Sequence, residues 1–407
     1  MKTVIYPSVL AGTIPAIASK SQAHRLLICA ALADGPTRIR CATLSRDILA
    51  TADCLRALGA DIAYEDGSFT VRPIRTAPAR AVLDCGESGS TLRFLLPVVC
   101  ALGTEADIRM HGRLPERPLS PLWEELERHG AALSRPAPDV IRTGGKLSAG
   151  DYTMAADVSS QFISGLLFAL PLTGGESRIR LTGTLESAAY VDMTVRALAA
   201  FGVPASPENG AYALGAGQRY RSPGEADVEG DWSNAAFWIC ADRILGGTLS
   251  ITGLDPDSPQ GDRAAEPVSL RVAAGSAVVD CRDIPDLVPV LAVLAAVSPG
   301  VTRFVNAQRL RIKESDRLSS TAALLTALGG DVQELPDGLV VTGRSRLAGG
   351  EMDSVNDHRI AMSAAVAALA CDGPVILHGA EAVNKSYPAF WEDFIRLGGR
   401  VELEDTI

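Results

Sequence analysis

Lysine is the scarcest charged residue in this chain. Of 38 basic residues only five are lysine (Lys2, Lys20, Lys146, Lys313 and Lys385); the rest are arginine. Arginine stays protonated, whereas a buried lysine shifts far enough to exchange protons. Each interior lysine is therefore a candidate for chemistry that arginine does not perform. Aromatic residues are also few, 5% against 47% hydrophobic, so the cores must be built from Ala, Leu and Val. No apolar run reaches the roughly 18–20 residues of a membrane span; Phe162 to Leu172 falls short. The first 15 residues hold one lysine and no sustained apolar core, so a secretory signal is not expected and a cytoplasmic location is.

Metal and nucleotide motifs are missing too. The eight cysteines are scattered, without a CxxC pair or a Cys/His cluster at zinc spacing. They are expected to be buried, reduced thiols, with no metal and no cofactor. Lys20 follows Ser19 rather than a glycine, which excludes a phosphate loop of the GxxxxGK[ST] kind, and Gly86-x-x-Gly89 lacks the rest of a dinucleotide fingerprint. The net charge of -10 argues against nucleic acid or an anionic membrane as partner. Small anions held inside a cleft remain open.

The 407 residues suffice for two or three domains. Short β-like runs alternate with Ala/Leu-rich helices in an α/β (α+β) pattern, and a helix end, a glycine and a strand recur together. Examples are LRALGADIAY (55–64), LERHGAAL (126–133), ALAAFGVPA (197–205), LLTALGGDVQEL (324–335) and FIRLGGRVEL (394–403). Gly59, Gly130 and Gly202 are 71 and 72 residues apart, and Gly330 and Gly399 are 69 apart. This spacing predicts six similar αβ units, three and three. The fourth, around Gly261 to Ser276, is expected to be shortened by a helix and a hairpin.

Five predicted helices begin with unusually polar starts: Ser19-Lys20-Ser21, Gly86 to Thr91, Ser159-Ser160-Gln161, Glu314 to Asp316, and Asn356-Asp357-His358-Arg359. Each could be an ordinary N-cap. Free N–H groups and the positive end of the dipole also make a helix start an anion site, which nearby Lys or Arg strengthens. The stretch Arg311-Ile312-Lys313-Glu314-Ser315-Asp316-Arg317-Leu318 carries five charges between apolar segments. Either it is a solvated face, or Lys313 and Glu314 form a proton-handling pair with Arg311 and Arg317 gripping an anion.

Ten stretches occur in order: Lys20-Ser21-x-x-x-Arg25, Gly86-x-x-Gly89-Ser90, Arg113-x-x-Glu116-Arg117-Pro118, Ser159-Ser160-Gln161, Asp231-Trp232-Ser233, Gln260-Gly261-Asp262, Ile284-Pro285-Asp286, Lys313-Glu314-x-Asp316-Arg317, Asn356-Asp357-His358-Arg359 and Lys385-Ser386-Tyr387-Pro388. Together they resemble the 5-enolpyruvylshikimate-3-phosphate (EPSP) synthase family nearly end to end. The resemblance implies a two-domain inside-out α/β barrel with three βαβαββ-type units per domain. It implies an N-terminal domain over 19–229, a C-terminal domain of 1–18 plus 230–407, hinge crossings near Ser19 and Glu229, and an active site in the cleft between them.

The reaction so implied joins phosphoenolpyruvate to the 5-hydroxyl of shikimate 3-phosphate through a tetrahedral adduct and releases phosphate. By resemblance Asp286 takes the hydroxyl proton, although the residue could equally be a strand-to-helix cap, and Lys313 and Glu314 serve proton transfer at the adduct. The phosphoenolpyruvate set is Lys20, Gly89, Arg113, Gln161, Arg317, Arg359 and Lys385. The shikimate 3-phosphate set is Lys20, Ser21, Arg25, Ser159, Ser160, Gln161, Ser187, Tyr190, Asp286 and Lys313. His358 is expected to orient its neighbours, and the protein to be a monomer. Departures from the family pattern fall at Glu87, Phe94, Ala188-Ala189 and Arg309. Two alternatives stand beside this reading: transfer to UDP-N-acetylglucosamine, and an inactive anion-binding relative. Enzymes of the first kind typically carry a reactive cysteine in the loop matching Gly112 to Pro118, which has none here. Pure anion binding needs neither Asp286 nor Glu314.

Overall fold

The computed structural model describes residues 1–404. The chain divides into two compact units, one of Ala18–Val228 and one of Met1–Ile17 with Glu229 onward. Among the described residues the α-helices are α1 (Lys20–Leu32), α2 (Arg46–Ala57), α3 (Gly89–Leu102), α4 (Leu122–Arg128), α5 (Ser160–Ala169), α6 (Ala188–Ala200), α7 (Trp232–Leu245), α8 (Ala265–Ala273), α9 (Val288–Ala296), α10 (Arg317–Ala327), α11 (His358–Ala368) and α12 (Phe390–Arg396).

The unit Ala18–Val228 carries three four-stranded sheets of one pattern. In the middle one, Arg80–Asp84 runs parallel to Glu105–Arg109, which pairs antiparallel with Val140–Gly145, which in turn pairs antiparallel with Ala131–Ala137. Ahead of it in the chain, Thr37–Arg40 takes its parallel partner from Glu225–Asp227, at the far end of the segment. Thr37 and Ile39 face inward and Arg38 and Arg40 outward, the period-two pattern of a half-buried strand. Ion pairs such as Arg80–Glu105 and Arg142–Asp107 stud exposed strand positions.

The helices occupy the interior. Twelve residues of α3 are buried, and a helix apolar on all sides must be surrounded by protein. Pro97 inside α3 has no N–H, so the Arg93 carbonyl lacks its helical partner. Gly165 of α5 packs onto that carbonyl; a Cβ there would sit 2.2 Å from the oxygen. Phe94 is buried among His24, Phe168 and the Arg25 guanidinium, at centroid distances of 6.4, 5.5 and 5.0 Å.

The unit of Met1–Ile17 and Glu229 onward repeats the pattern around α7, α9 and α11, and every residue of α9 is buried. Lys2–Tyr6 lies antiparallel between Val375–His378 and Arg400–Glu404. Two expectations are corrected here. The shortened fourth unit keeps both helices, α7 and α8; what it lacks is the hairpin, because its sheet holds only the parallel pair Gly12–Pro15 and Leu249–Thr252. Its helix-ending glycine is Gly275 (φ +96°), 73 residues after Gly202 and 54 before Gly329, the shorter step matching the absent hairpin. The left-handed glycines after α10 and α12 are Gly329 and Gly398 rather than Gly330 and Gly399, with the spacing of 69 unchanged. All eight cysteines are buried free thiols. Among the described residues no helix is long and apolar enough to cross a membrane.

Candidate active site

In the unit containing α9, three chain segments bring their charges together. The segment before α9 starts without a side-chain cap, and Asp286 turns its carboxylate to cations instead. Its Oδ1 accepts from Arg317 Nη1 at 2.7 Å and Lys313 Nζ at 3.4 Å, and its Oδ2 lies 3.2 Å from Arg359 Nη2. The capping alternative for Asp286 therefore does not hold. Asp316 does cap α10, accepting from Ser319 N, and Asp357 caps α11, accepting from Arg359 N at 2.9 Å.

Arg317 is the hub of this cluster. It is 1% exposed and binds three carboxylates: Asp357 through Nε (2.8 Å), Asp286 through Nη1 (2.7 Å) and Glu314 through Nη2 (2.6 Å). Burial disfavours its charge, but Asp357, Glu314 and Asp286 outweigh this and raise its pKa further. The same balance acts on the acids. Burial raises the Asp286 carboxyl, yet Arg359, Lys313 and Arg317 together hold it well below the usual carboxylate range. For Asp357, Arg317 likewise overcomes burial and lowers the pKa. Lys313 behaves differently. Burial lowers its ammonium to about 8, with Arg317 and Arg309 pushing the same way against Asp286 and Glu314. An amine poised there exchanges protons near neutral pH.

Two further cations border the cluster. Arg359 donates to Ser233 Oγ (2.7 Å) and the Asp286 carbonyl (3.0 Å), while its buried Nε has no hydrogen-bond partner among the described residues. Lys385 Nζ donates to the Asn356 carbonyl at 2.5 Å. Val355 and Asn356 both have positive φ (48° and 57°), so the turn presenting that carbonyl is strained. His358 is buried at the start of α11, its Nδ1 3.9 Å from Asp357 Oδ1. Arg311 is a correction. It binds Glu334 (2.8 Å), Asp316 (2.9 Å) and the carbonyls of Leu335 and Pro336, so it braces the protein's own hairpin rather than an external anion.

The unit Ala18–Val228 gathers a second set around the starts of α1, α3 and α5, capped by Ser19, Ser88 and Ser159. Lys20 Nζ is held 2.9 Å from Asp47 Oδ2, in the first turn of α2. Ser21 is half-buried beside it. Arg25 is buried and donates to Thr194 Oγ1 (2.9 Å) and to the carbonyls of Ser21 (2.6 Å) and Tyr190 (2.7 Å). Burial lowers its pKa to about 10. It fixes the backbone of two expected ligands and keeps two of its five N–H groups beyond these three bonds. Ser187 is buried in a left-handed conformation at the start of α6, and Ser160 is buried in the first turn of α5.

Gln161 is oriented from both ends, its Oε1 accepting from Arg93 Nη1 (2.7 Å) and its Nε2 donating to Ser90 Oγ (2.9 Å). At Gly89 the missing side chain matters, because a Cβ would lie 2.7 Å from Arg117 Nη1 and 3.1 Å from Arg93 Nη1. Arg117, rather than Arg113, is thus the arginine of that loop beside Gly89. Arg113 is 47% exposed near Glu116, at 3.6 Å. Glu87 lies against Gly112 of the same loop. Arg93, Arg117, Asp47 and Asp357 are not among the expected site residues. Arg93 carries a signal, being the one charge in its helix; Arg117 and Asp357 stand inside the motifs without an expected role.

Repeated αβ units with helices inside and sheets outside, three sheets to a unit, are the inside-out α/β architecture of the enolpyruvyl transferases. A family model described as EPSP synthase (3-phosphoshikimate 1-carboxyvinyltransferase) matches residues 5–394. The chain belongs to the EPSP synthase family. It is 40% identical over 425 residues to the 3-phosphoshikimate 1-carboxyvinyltransferase of Clostridium novyi (strain NT), covering 98% of each chain. The enzyme of that name from Clostridium kluyveri is 39% identical, covering 98% of this chain and 97% of the relative. Among solved structures, EPSP synthase from Acinetobacter baumannii superposes with a TM-score of 0.81 at 25% identity, covering 100% of both chains. The enolpyruvyl transferase NikO from Streptomyces tendae shares the fold, with a TM-score of 0.77 at 20% identity over 98% of each chain.

Proposed function

We propose that this chain transfers the enolpyruvyl group of phosphoenolpyruvate to the 5-hydroxyl of shikimate 3-phosphate, releasing phosphate, and that Lys313 and Glu314 carry the proton transfers while Asp286 holds the reacting hydroxyl. The observation that carries the assignment of roles is the pair formed by Lys313 Nζ and Asp286 Oδ1, 3.4 Å apart, one titrating near 8 and the other held ionised. An ionised carboxylate so strongly favoured by cations is a weak base but a good acceptor for the substrate hydroxyl. The neutral Lys313 amine is the stronger base and takes the hydroxyl proton, so that the hydroxyl oxygen attacks the enol carbon, and the ammonium so formed delivers a proton to the methylene carbon. A methyl proton then returns to the Lys313 amine as the C–O bond to phosphate breaks; the phosphate leaves with the bonding electrons and takes up that proton, and the enol ether forms. Glu314, fixed on Arg317, stands next to Lys313 for the proton at carbon.

The phosphoenolpyruvate anion is assigned to Lys20, Gly89, Arg113, Gln161, Arg317, Arg359 and Lys385, with Arg117 beside Gly89 and Arg317 also organising the acids. Shikimate 3-phosphate is assigned to the α1, α5 and α6 starts through Lys20, Ser21, Ser159, Ser160, Gln161 and Ser187, with Tyr190 against the ring and Arg25 behind them. Helix starts and basic side chains together favour phosphate and carboxylate. The decisive measurement is phosphate release from phosphoenolpyruvate with shikimate 3-phosphate and UDP-N-acetylglucosamine offered separately. Release with the first and background with the second is expected; the reverse would replace this reading by the sugar-nucleotide one.

Gly89→Ala tests the anion assignment. Its Cβ meets the end of a flexible side chain, so folding should survive while Arg117 is displaced. KM for phosphoenolpyruvate should rise at least about tenfold, the equivalent of one charged hydrogen bond, with the melting temperature little changed. The reading further holds that the protein is a cytoplasmic monomer.

A further inference from the structure

Behind the starts of α1 and α3 runs a chain of buried polar groups that the proposed chemistry does not use. His24 Nδ1 is 2.7 Å from Thr51 Oγ1, Thr51 Oγ1 is 2.6 Å from Thr91 Oγ1, and the Thr91 hydroxyl donates to Ser88 Oγ at 2.7 Å. His24, Thr51 and Thr91 are completely buried, and Ser88 is 1% exposed. The four residues sit on α1, α2, the first turn of α3 and its N-cap, so the chain ties three helices together at one depth.

Counting hydrogens sets its direction. Each hydroxyl has one hydrogen and donates once. Thr91 gives its hydrogen to Ser88, so Thr91 accepts from Thr51. Thr51 has then used its own hydrogen and accepts from His24, whose Nδ1 must carry the proton. Burial keeps the imidazole neutral by driving its pKa well below the usual value, with Lys20 and Arg25 acting the same way. A neutral ring protonated at Nδ1 has a bare Nε2, and His24 Nε2 is buried without a hydrogen-bond partner among the described residues. An imidazole N–H left there would be an orphaned buried donor; an acceptor lone pair in an apolar site is the less costly state. At the other end, Ser88 Oγ accepts from both the Thr91 hydroxyl and the Thr91 amide (3.2 Å), so its own hydrogen must point away from the chain.

We infer that His24, held as the Nδ1-protonated tautomer, is a positioning residue that fixes the Gly86–Ser90 turn, and hence Gly89, relative to Lys20 on α1. His24 and Lys20 are one helical turn apart on α1, and Ser88 immediately precedes Gly89. The inference rests on the assignment of Gly89 and Lys20 to phosphoenolpyruvate. Polar chains of this kind act as a unit, and removing one member leaves the next unsatisfied in a low-dielectric interior.

Two measurements test it on the full-length protein. Nitrogen-15 NMR of the imidazole at pH 7.5 should place the His24 proton on Nδ1, against the Nε2 preference of a free neutral imidazole; an Nε2-protonated His24 overturns the inference. In steady-state kinetics His24→Leu and Thr51→Val should each raise KM for phosphoenolpyruvate about tenfold, the scale of one buried hydrogen bond, and lower kcat less than twofold. His24→Asn, whose amide nitrogen reproduces the Nδ1 donor, should restore KM to within about twofold of the parent. Equal losses in His24→Leu and His24→Asn, or a loss in melting temperature with KM unchanged, would leave the chain a packing feature and overturn the positioning role. Gly89→Ala with unchanged KM would instead remove the ligand assignment of the turn, and the tautomer result would still decide the direction of the chain.

Discussion

Lys313→Arg should keep the folded protein and its net charge but lose at least about a hundredfold in kcat, the scale of removing a general acid–base group. The parent lysine titrates near 8 because burial disfavours its ammonium, and it stands 3.4 Å from the ionised Asp286. A guanidinium cannot give up its proton in this range, so the variant keeps the anion clamp and loses the base. The pH dependence supplies an internal control. In the parent the neutral amine accumulates as pH rises through about 8, so kcat should climb through that value and level off above it. The limb should vanish in Lys313→Arg. A parent profile that falls through 8 would mean that the ammonium form acts in the limiting step, and near-normal turnover in the variant would reduce Lys313 to an anion contact.

The second large effect concerns the hub. Arg317→Met removes the cation shared by Asp286, Glu314 and Asp357, and leaves three carboxylates in a buried site. Breaking one partner of a buried ionic network costs about 3–5 kcal/mol, so chemical denaturation at pH 7 should show a loss of that size together with loss of turnover. The pH dependence has a definite sign. In the parent Asp286 and Asp357 have depressed pKa values, so their contribution is fully present above the ordinary carboxylate value and is lost as pH falls below it, through the depressed folded-state values. In the variant these groups lose that stabilisation and protonate more readily. The stability gap between parent and variant should therefore be widest near pH 7 and shrink as pH falls through the variant's carboxylate values and on toward the depressed values of the parent. A gap that is constant with pH would mean that Arg317 acts through packing of its stem and not through its charge.

Much of the candidate site is legible in the residue types and their spacing, and the reason is chemical. Lysine scarcity singles out Lys313, and its half-buried place beside Asp286 and its ammonium lowered to about 8 are what a proton-exchanging role requires of it. The capped helix starts are equally readable, because Ser and Asp caps act within three residues of themselves. Arg311 and Arg317, six residues apart, look alike in the sequence. One lies against the hairpin turn at Leu335 and Pro336, the other beneath Asp286 and Asp357, and no local rule carries that difference. Arg113 and Arg117 are indistinguishable for the same reason, since only the packing of the loop on Gly89 separates them.

The chain's own sequence determined the unit and its repeat. Helix, left-handed glycine and strand are short-range preferences, and their spacing near 70 residues states the size of the unit directly. The tertiary structure alone decided which strand completes which sheet and which charge answers which. Glu225–Asp227 closes the sheet of Thr37–Arg40, and Lys2–Tyr6 joins Val375–His378, pairings across nearly the whole length of their units. It also decided that the fourth unit gives up its hairpin and keeps α8, and that His24 meets the Thr51 hydroxyl. Hydrogen bonds and ion pairs between distant residues depend on how the buried helices stack, and stacking is set by the sum of many weak contacts that no single stretch of sequence contains.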